Sequence, residues 1–296
     1  MLQESGEHVL ITAGEVHLQR CLRDLRESYA KIEINASQPI VPFRETIVAP
    51  FESVDNDSAG RVQVYTSGKR FSMRLRAVSL PDEVSTLLEK HVDIIRTMSQ
   101  TRCINSLETT TIEDQVNEKL NLQLQNKIIK LYGQLDQAFQ RSGWKDNAVD
   151  RILSFGPRRC GPNVLINYSS IALPNPWKRN VPETIVERST LECLSSVING
   201  FQLATLAGPL CEEPLFGVAF ILEDLSIMLN YPPTPLSNED DKNDSSNVHQ
   251  QCGSLTGQIM SVVKDGCRRA FMNQPQRLMA AMYNCSIQVS GEVVGK

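Results

Sequence analysis

The sequence is short of the residues and patterns from which most active sites are built. Its 296 residues include only four His, at widely separated positions, so no zinc-ligand pairing is present. There is no Gly-x-x-x-x-Gly-Lys-Ser/Thr phosphate loop. The terminal Gly291–Lys296 stretch is one residue short of that spacing and lacks the following hydroxyl. HExxH, GxSxG and GxGxxG are also absent. Positive charge is not in excess: 30 Lys and Arg stand against 34 Asp and Glu, a formal net charge of -4. Bulk electrostatics therefore gives no support for nucleic-acid binding, which must rest on local patches. No apolar run approaches the roughly 20 residues needed to cross a bilayer. The first residues, MLQESGEHVL, lack the basic and apolar regions of a signal peptide. None of the eight Cys forms a CxxC pair, and Cys21 and Cys267 fall on helix faces. Reduced core thiols in a cytoplasmic protein are the reading this supports.

What is present is a mixture of helix and strand patterns, hence an α+β chain. HVLIT at 8–12 and KIEIN at 31–35 read as strands around a helix with Leu18, Cys21, Leu22, Leu25 and Tyr29 on one face. The Pro-rich stretch 37–50 reads as an extended connector, and 51–60 as polar loop. Strands follow at 61–65 and 69–80. In the second, Phe71, Met73 and Leu75 alternate with Arg70, Ser72, Arg74 and Arg76. That basic face is either solvated or turned toward RNA, and no exposed aromatics are interleaved with it to stack bases.

Pro81 opens a helix running to Met98 with His91 on its apolar face. A loop over 99–112, a long helix over 113–141 and a short helix over 144–153 come next. In SFGPRRCGPNVL two Gly-Pro pairs bracket Arg158, Arg159 and Cys160. The segment is a constrained turn on one reading and a rigid loop presenting two arginines to phosphate on the other. A helix over 184–206 stops at Gly208-Pro209, and strands are expected at 217–223 and 225–229. The adjacent Glu212 and Glu213 make a poor acid/base pair, because neighbouring positions do not aim at one substrate. Residues 230–251 read as a flexible polar insertion. Then comes a Gly-flanked loop at 253–258, followed by the best-patterned helix of the chain. Ile259, Val262, Val263, Gly266, Cys267 and Ala270 recur on one face until Pro275. A strand is expected over 280–289.

GEHVLITAGEVHLQRCLRDL with QPIVPFRET, SFGPRRCGPNVL, VINGFQLATLAGPLCEEPLFGVAF and RRAFMNQPQRLMAAMYNCSIQV together resemble the translocation GTPases, the elongation factor two family. Within it the wording is similar to the elongation-factor-like GTPases of large-subunit maturation. The resemblance is weak over 83–140 and 230–251. It implies the C-terminal half of a ferredoxin-like third domain over 1–47. A fourth domain like ribosomal protein S5 follows over 48–278, with the flexible insertion at 230–251, and the start of a ferredoxin-like fifth domain over 279–296. It also implies a ribosome-binding arm whose candidate contacts are the tip residues Gly253, Ser254, Leu255, Thr256, Gly257 and Gln258, with Arg158, Arg159 and Asn163 of the second loop. The translocases carry a modified histidine where this sequence has Gly253, which separates the maturation reading from its alternative, a translocase fragment. GTP and Mg belong to the full-length relatives and neither to this chain, which lacks the GTP-binding domain. The implied partners are the large ribosomal subunit with its rRNA and proteins, the Shwachman-Bodian-Diamond syndrome protein and, indirectly, an anti-association initiation factor. No membrane partner is implied.

Overall fold

The chain is seen in a computed structural model that describes residues 8–48, 60–105, 114–144, 147–171, 173, 175–177, 188–227 and 245–282, with side chains left undescribed over 101–122, 188–192 and 245–254. Contacts divide it into two units, 1–41 and 42–296.

The first unit holds one helix, α1 (Glu15–Asp24), which runs on as a π-helical turn over Leu25–Ala30 and ends at Lys31 in a left-handed conformation, φ 51°. The helix follows the predicted period. The strands expected at 8–12 and 31–35 do not form as strands. A strand exists only by pairing, and none of the helical residues is buried, so no packed layer holds those segments extended.

The second unit is built on a five-stranded sheet. β2 (Val62–Tyr65), β3 (Phe71–Ser79), β6 (Val218–Ile227), β5 (Asn163–Asn167) and β4 (Ile152–Gly156) lie side by side in that order. All neighbours are antiparallel except β5 and β6. That parallel pair is joined by α5 (Arg188–Leu206), giving a βαβ crossover. A separate ribbon pairs β1 (Phe43–Ile47) with β7 (Gln276–Ala280), antiparallel, in register from Phe43 opposite Ala280 to Ile47 opposite Gln276.

Helices lie on both faces of the sheet. On one, α5 and α6 (Ser245–Met272) bury Val197, Phe201, Ile259, Val263, Cys267 and Phe271 against Val64, Phe71, Leu75, Phe220 and Leu222. The apolar stripe read from the sequence of α6 is the buried one. On the other, α2 (Asp82–Lys90), α3 (Val92–Asn105) and α4 (Asp114–Arg141) cover Ile152, Phe155, Val164, Ile166 and Ala219. The single helix expected from Pro81 is two. His91 sits at φ -113°, ψ 22° between them, its ring Nδ1 2.9 Å from the Leu87 carbonyl. Helix α3 continues to Asn105, through the first part of the expected loop. The short helix expected over 144–153 is absent. A 3-10 turn, Val149–Arg151, leads directly into β4, whose residues are all buried. The two strands expected over 217–229 are one continuous strand, β6. Of the expected insertion, 230–244 lies outside the described residues and 245–251 is the first part of α6. The strand expected over 280–289 lies mostly outside them; β7 begins four residues earlier, at Gln276.

The ribbon is fixed to the loop before β6 by one buried carboxylate. Glu45 is fully buried. Its Oε2 accepts from the Leu210 N–H at 2.9 Å and its Oε1 from those of Cys211 at 2.8 Å and Glu213 at 3.2 Å. A side chain at Gly208 would collide with this carboxylate, so only glycine leaves room for it. Replacing Glu45 with Ala strands three backbone donors in a dry site, at a cost on the order of 3 kcal/mol. The urea midpoint of Glu45→Ala should fall accordingly, while Glu212→Ala, whose side chain is 78% exposed, should leave it unchanged.

Candidate functional site

The β4–β5 loop, Gly156–Asn163, is rigid by construction. Arg158 and Arg159 are consecutive left-handed residues, φ 55° and 58°. The N–H groups of Cys160 and Gly161 return to the Pro157 carbonyl at 3.2 and 2.9 Å. A Cβ on Gly161 would overlap the Gly156 carbonyl and the Pro157 ring. Cys160 is buried beneath the turn.

The loop is clamped from α5. Gln202 accepts from the Arg159 N–H at 2.8 Å and donates to the Phe155 carbonyl at 2.7 Å. The Arg159 guanidinium donates to Asn199 Oδ1 at 3.3 Å, and Ser99 donates to the Arg159 carbonyl at 3.1 Å. Arg159 is thus partly committed to the protein. Arg158 is exposed and carries no ion pair among the described residues. A turn forced into left-handed geometry by its own packing leaves one arginine pointing to solvent. The segment is a constrained turn, and of its two arginines only Arg158 is exposed.

Asn163 is not at the surface. It is fully buried. Its amide donates to the carbonyls of Gly156 at 3.0 Å and Leu215 at 2.7 Å and accepts from the Val218 N–H at 3.0 Å. All of its contacts are internal, so it secures the root of the loop and cannot itself touch a ribosome.

The expected tip loop is helical. Gly253, Ser254, Leu255, Thr256, Gly257 and Gln258 all lie inside α6. The 28-residue helix contains no proline, and the apolar period extends backward through Leu255, which is 8% exposed and joins the core beside Ile259. That packing outweighs the cost of about 1 kcal/mol for each helical glycine. Gly257 and Gln258 are exposed. Gln258 lies 3.5 Å from Ser67 in the β2–β3 turn, at the end of the sheet where Phe71 pairs with Ile227. The Gly156–Asn163 loop stands at the opposite end, where Asn163 meets Val218. The structure therefore does not bring the two candidate loops into one tip.

Sequence reading missed Glu45, Asn199 and Gln202. The last two are polar residues three apart on a helix, flanking the buried Phe201, and that spacing was the available signal. The described residues contain no group of three or more His, Cys, Asp or Glu side chains arranged to hold a metal ion.

Asn163→Ala leaves two buried carbonyls and one N–H unpaired and should cost about 3 kcal/mol. Arg158→Ala should change stability by no more than about 0.5 kcal/mol. Urea unfolding of both variants separates the anchor from the exposed contact.

Residues 76–168 match the family described as Elongation factor-like GTPase 1-like domain. The chain is 38% identical to elongation factor-like GTPase 1 of Homo sapiens, across all of this chain and 31% of that protein. It is 34% identical to the Mus musculus protein of the same name, covering 32% of it. It is 33% identical to ribosome assembly protein 1 of Schizosaccharomyces pombe, covering 28% of it. The chain spans less than a third of the length of these curated relatives. Along its whole length it is similar to these elongation factor-like GTPases and ribosome assembly proteins.

Proposed function

We propose that this chain is a ribosome-contacting arm of a GTPase that acts in maturation of the large ribosomal subunit. The observation that carries this is homology along the entire chain to proteins named for ribosome assembly and for elongation-factor-like GTPase character. The clamped β4–β5 loop supports it. A rigid turn offering an exposed, unpaired Arg158 is suited to a phosphate contact, because little side-chain and backbone freedom remains to be lost on docking.

In this reading the five-stranded sheet and its helices correspond to the S5-like fourth domain. The segment before it, 1–47, belongs to the third domain, and residues 279–296 begin the fifth. GTP hydrolysis resides in a nucleotide-binding domain outside these residues. The arm acts with the Shwachman-Bodian-Diamond syndrome protein to release an anti-association initiation factor from late cytoplasmic large-subunit precursors. The site lies on rigid elements and lacks a proton donor or nucleophile aimed at a substrate, so its contribution is binding.

Sedimentation of the chain with purified large subunits across a potassium chloride series tests the reading. Binding should weaken steeply with salt, and Arg158→Ala should reduce the slope of log affinity against log salt by about one unit. Absence of binding at low salt, or GTP hydrolysis by the pure chain, overturns it.

A further inference from the structure

Among the described residues, the sheet face opposite α5 and α6 is only partly covered. β3 turns Phe71, Met73, Leu75 and Ala77 toward α5 and α6, so alternation sends Arg74, Arg76 and Val78 the other way. Helices α2–α4 cover that second face over β4, β5 and Ala219 of β6. Beyond them lies an open cleft of about 530 Å³, lined by Arg61, Arg76, Trp144, Tyr168, Ile221 and Glu223 among others. That volume lies within the range of small-ligand sites.

A bulge in β6 shapes the floor. Arg74 pairs with Asp224 and Leu75 with Leu222, which leaves Glu223 as the extra residue. The Arg61 Nε–H donates to both Glu223 oxygens, at 3.0 and 2.8 Å. Arg76 Nε stands 3.2 Å from the same carboxylate, but without hydrogen-bond alignment, and this buried nitrogen has no hydrogen-bond partner. One carboxylate thus serves two guanidinium groups.

The walls are aromatic. Trp144, just beyond the turn that follows α4, is held edge-on by Phe139 at 5.2 Å. Tyr168 carries the Arg151 guanidinium 4.8 Å over its ring. Burial raises the Tyr168 phenol above its usual range, opposed by Arg151 and Arg76, so the hydroxyl remains a donor at neutral pH. The alternating Arg residues of β3 were recognisable in the sequence, but their aromatic companions arrive from beyond the ends of α4 and β5. An acidic side chain would use the guanidinium and leave the aromatic walls idle, whereas a nucleotide uses both.

We propose that this cleft binds a single unpaired nucleotide of RNA, its phosphate on Arg76 and its base against Trp144 and Tyr168. This assignment does not depend on the ribosomal reading.

The test is titration of the whole chain with adenosine monophosphate, with inorganic phosphate, and with a fluorescein-labelled oligoadenylate of about ten nucleotides, within the site sizes of single-strand binders. The monophosphate should quench tryptophan emission, phosphate should not, and the oligonucleotide should bind more tightly than the monophosphate. Trp144→Ala should lose roughly tenfold in oligonucleotide affinity, in line with one lost base stack. Trp144→Phe should restore affinity while abolishing the quench, with Trp177 emission reporting an intact fold. Arg76→Gln should weaken the oligonucleotide and the monophosphate together. Oligonucleotide affinity unchanged in Trp144→Ala and Arg76→Gln overturns the site. Phosphate competing as well as the monophosphate removes the base contact, and equal affinity for monophosphate and oligonucleotide makes the ligand a free nucleotide and overturns the RNA assignment. A chain that sediments with large subunits yet binds no oligonucleotide overturns this proposal alone; the converse result overturns only the ribosomal one.

Discussion

One carboxamide holds the working end of the sheet together. Asn163 stands at the first residue of β5 and satisfies the Gly156 carbonyl at the end of β4, the Leu215 carbonyl before β6 and the Val218 N–H at its start. The end of β4 and the segment leading into β6 therefore close on a single fully buried side chain. An amide is the group for this position, because it offers donors on one side and an acceptor on the other without a charge to desolvate. The arrangement passes onward: Leu215, which Asn163 holds, also bridges to Glu45, and Glu45 collects the N–H groups of the 210–213 loop. The loop that presents Arg158 is rigid because its root, its neighbours and its α5 clamp are all saturated.

The same economy describes the loop that Asn163 anchors. Its buried polar atoms face one another and leave no activated proton donor. Its exposed arginine is held at a fixed place by backbone that cannot relax. In the proposed reading, rigidity and exposed positive charge are what this loop brings to a phosphate contact.

Much of this was legible in the sequence where a local period decided the outcome. The α6 stripe, the β2–β3 pair and the long α4 all followed from spacing. The failures share a cause: a tertiary partner outweighed the local signal. Gly253 and Gly257 looked like a loop, yet Leu255 carries the core one turn further and keeps the segment helical. HVLIT and KIEIN looked like strands, yet none of their residues is buried among the described ones. Trp144–Leu153 had helical composition, but Ile152, Phe155 and their neighbours are claimed by the sheet. Asn163 read as a surface polar residue because nothing in a single sequence tells a buried amide with three partners from a solvated one. The nucleotide cleft was invisible for a related reason, since its arginines and its aromatics are contributed by different elements.

The ribbon of β1 and β7 has a further consequence. It sets Phe43 opposite Ala280, so a strand from the start of the second unit and one from near its end hold each other extended. Each supplies the backbone partners that a lone strand lacks. Loosening either strand therefore releases both.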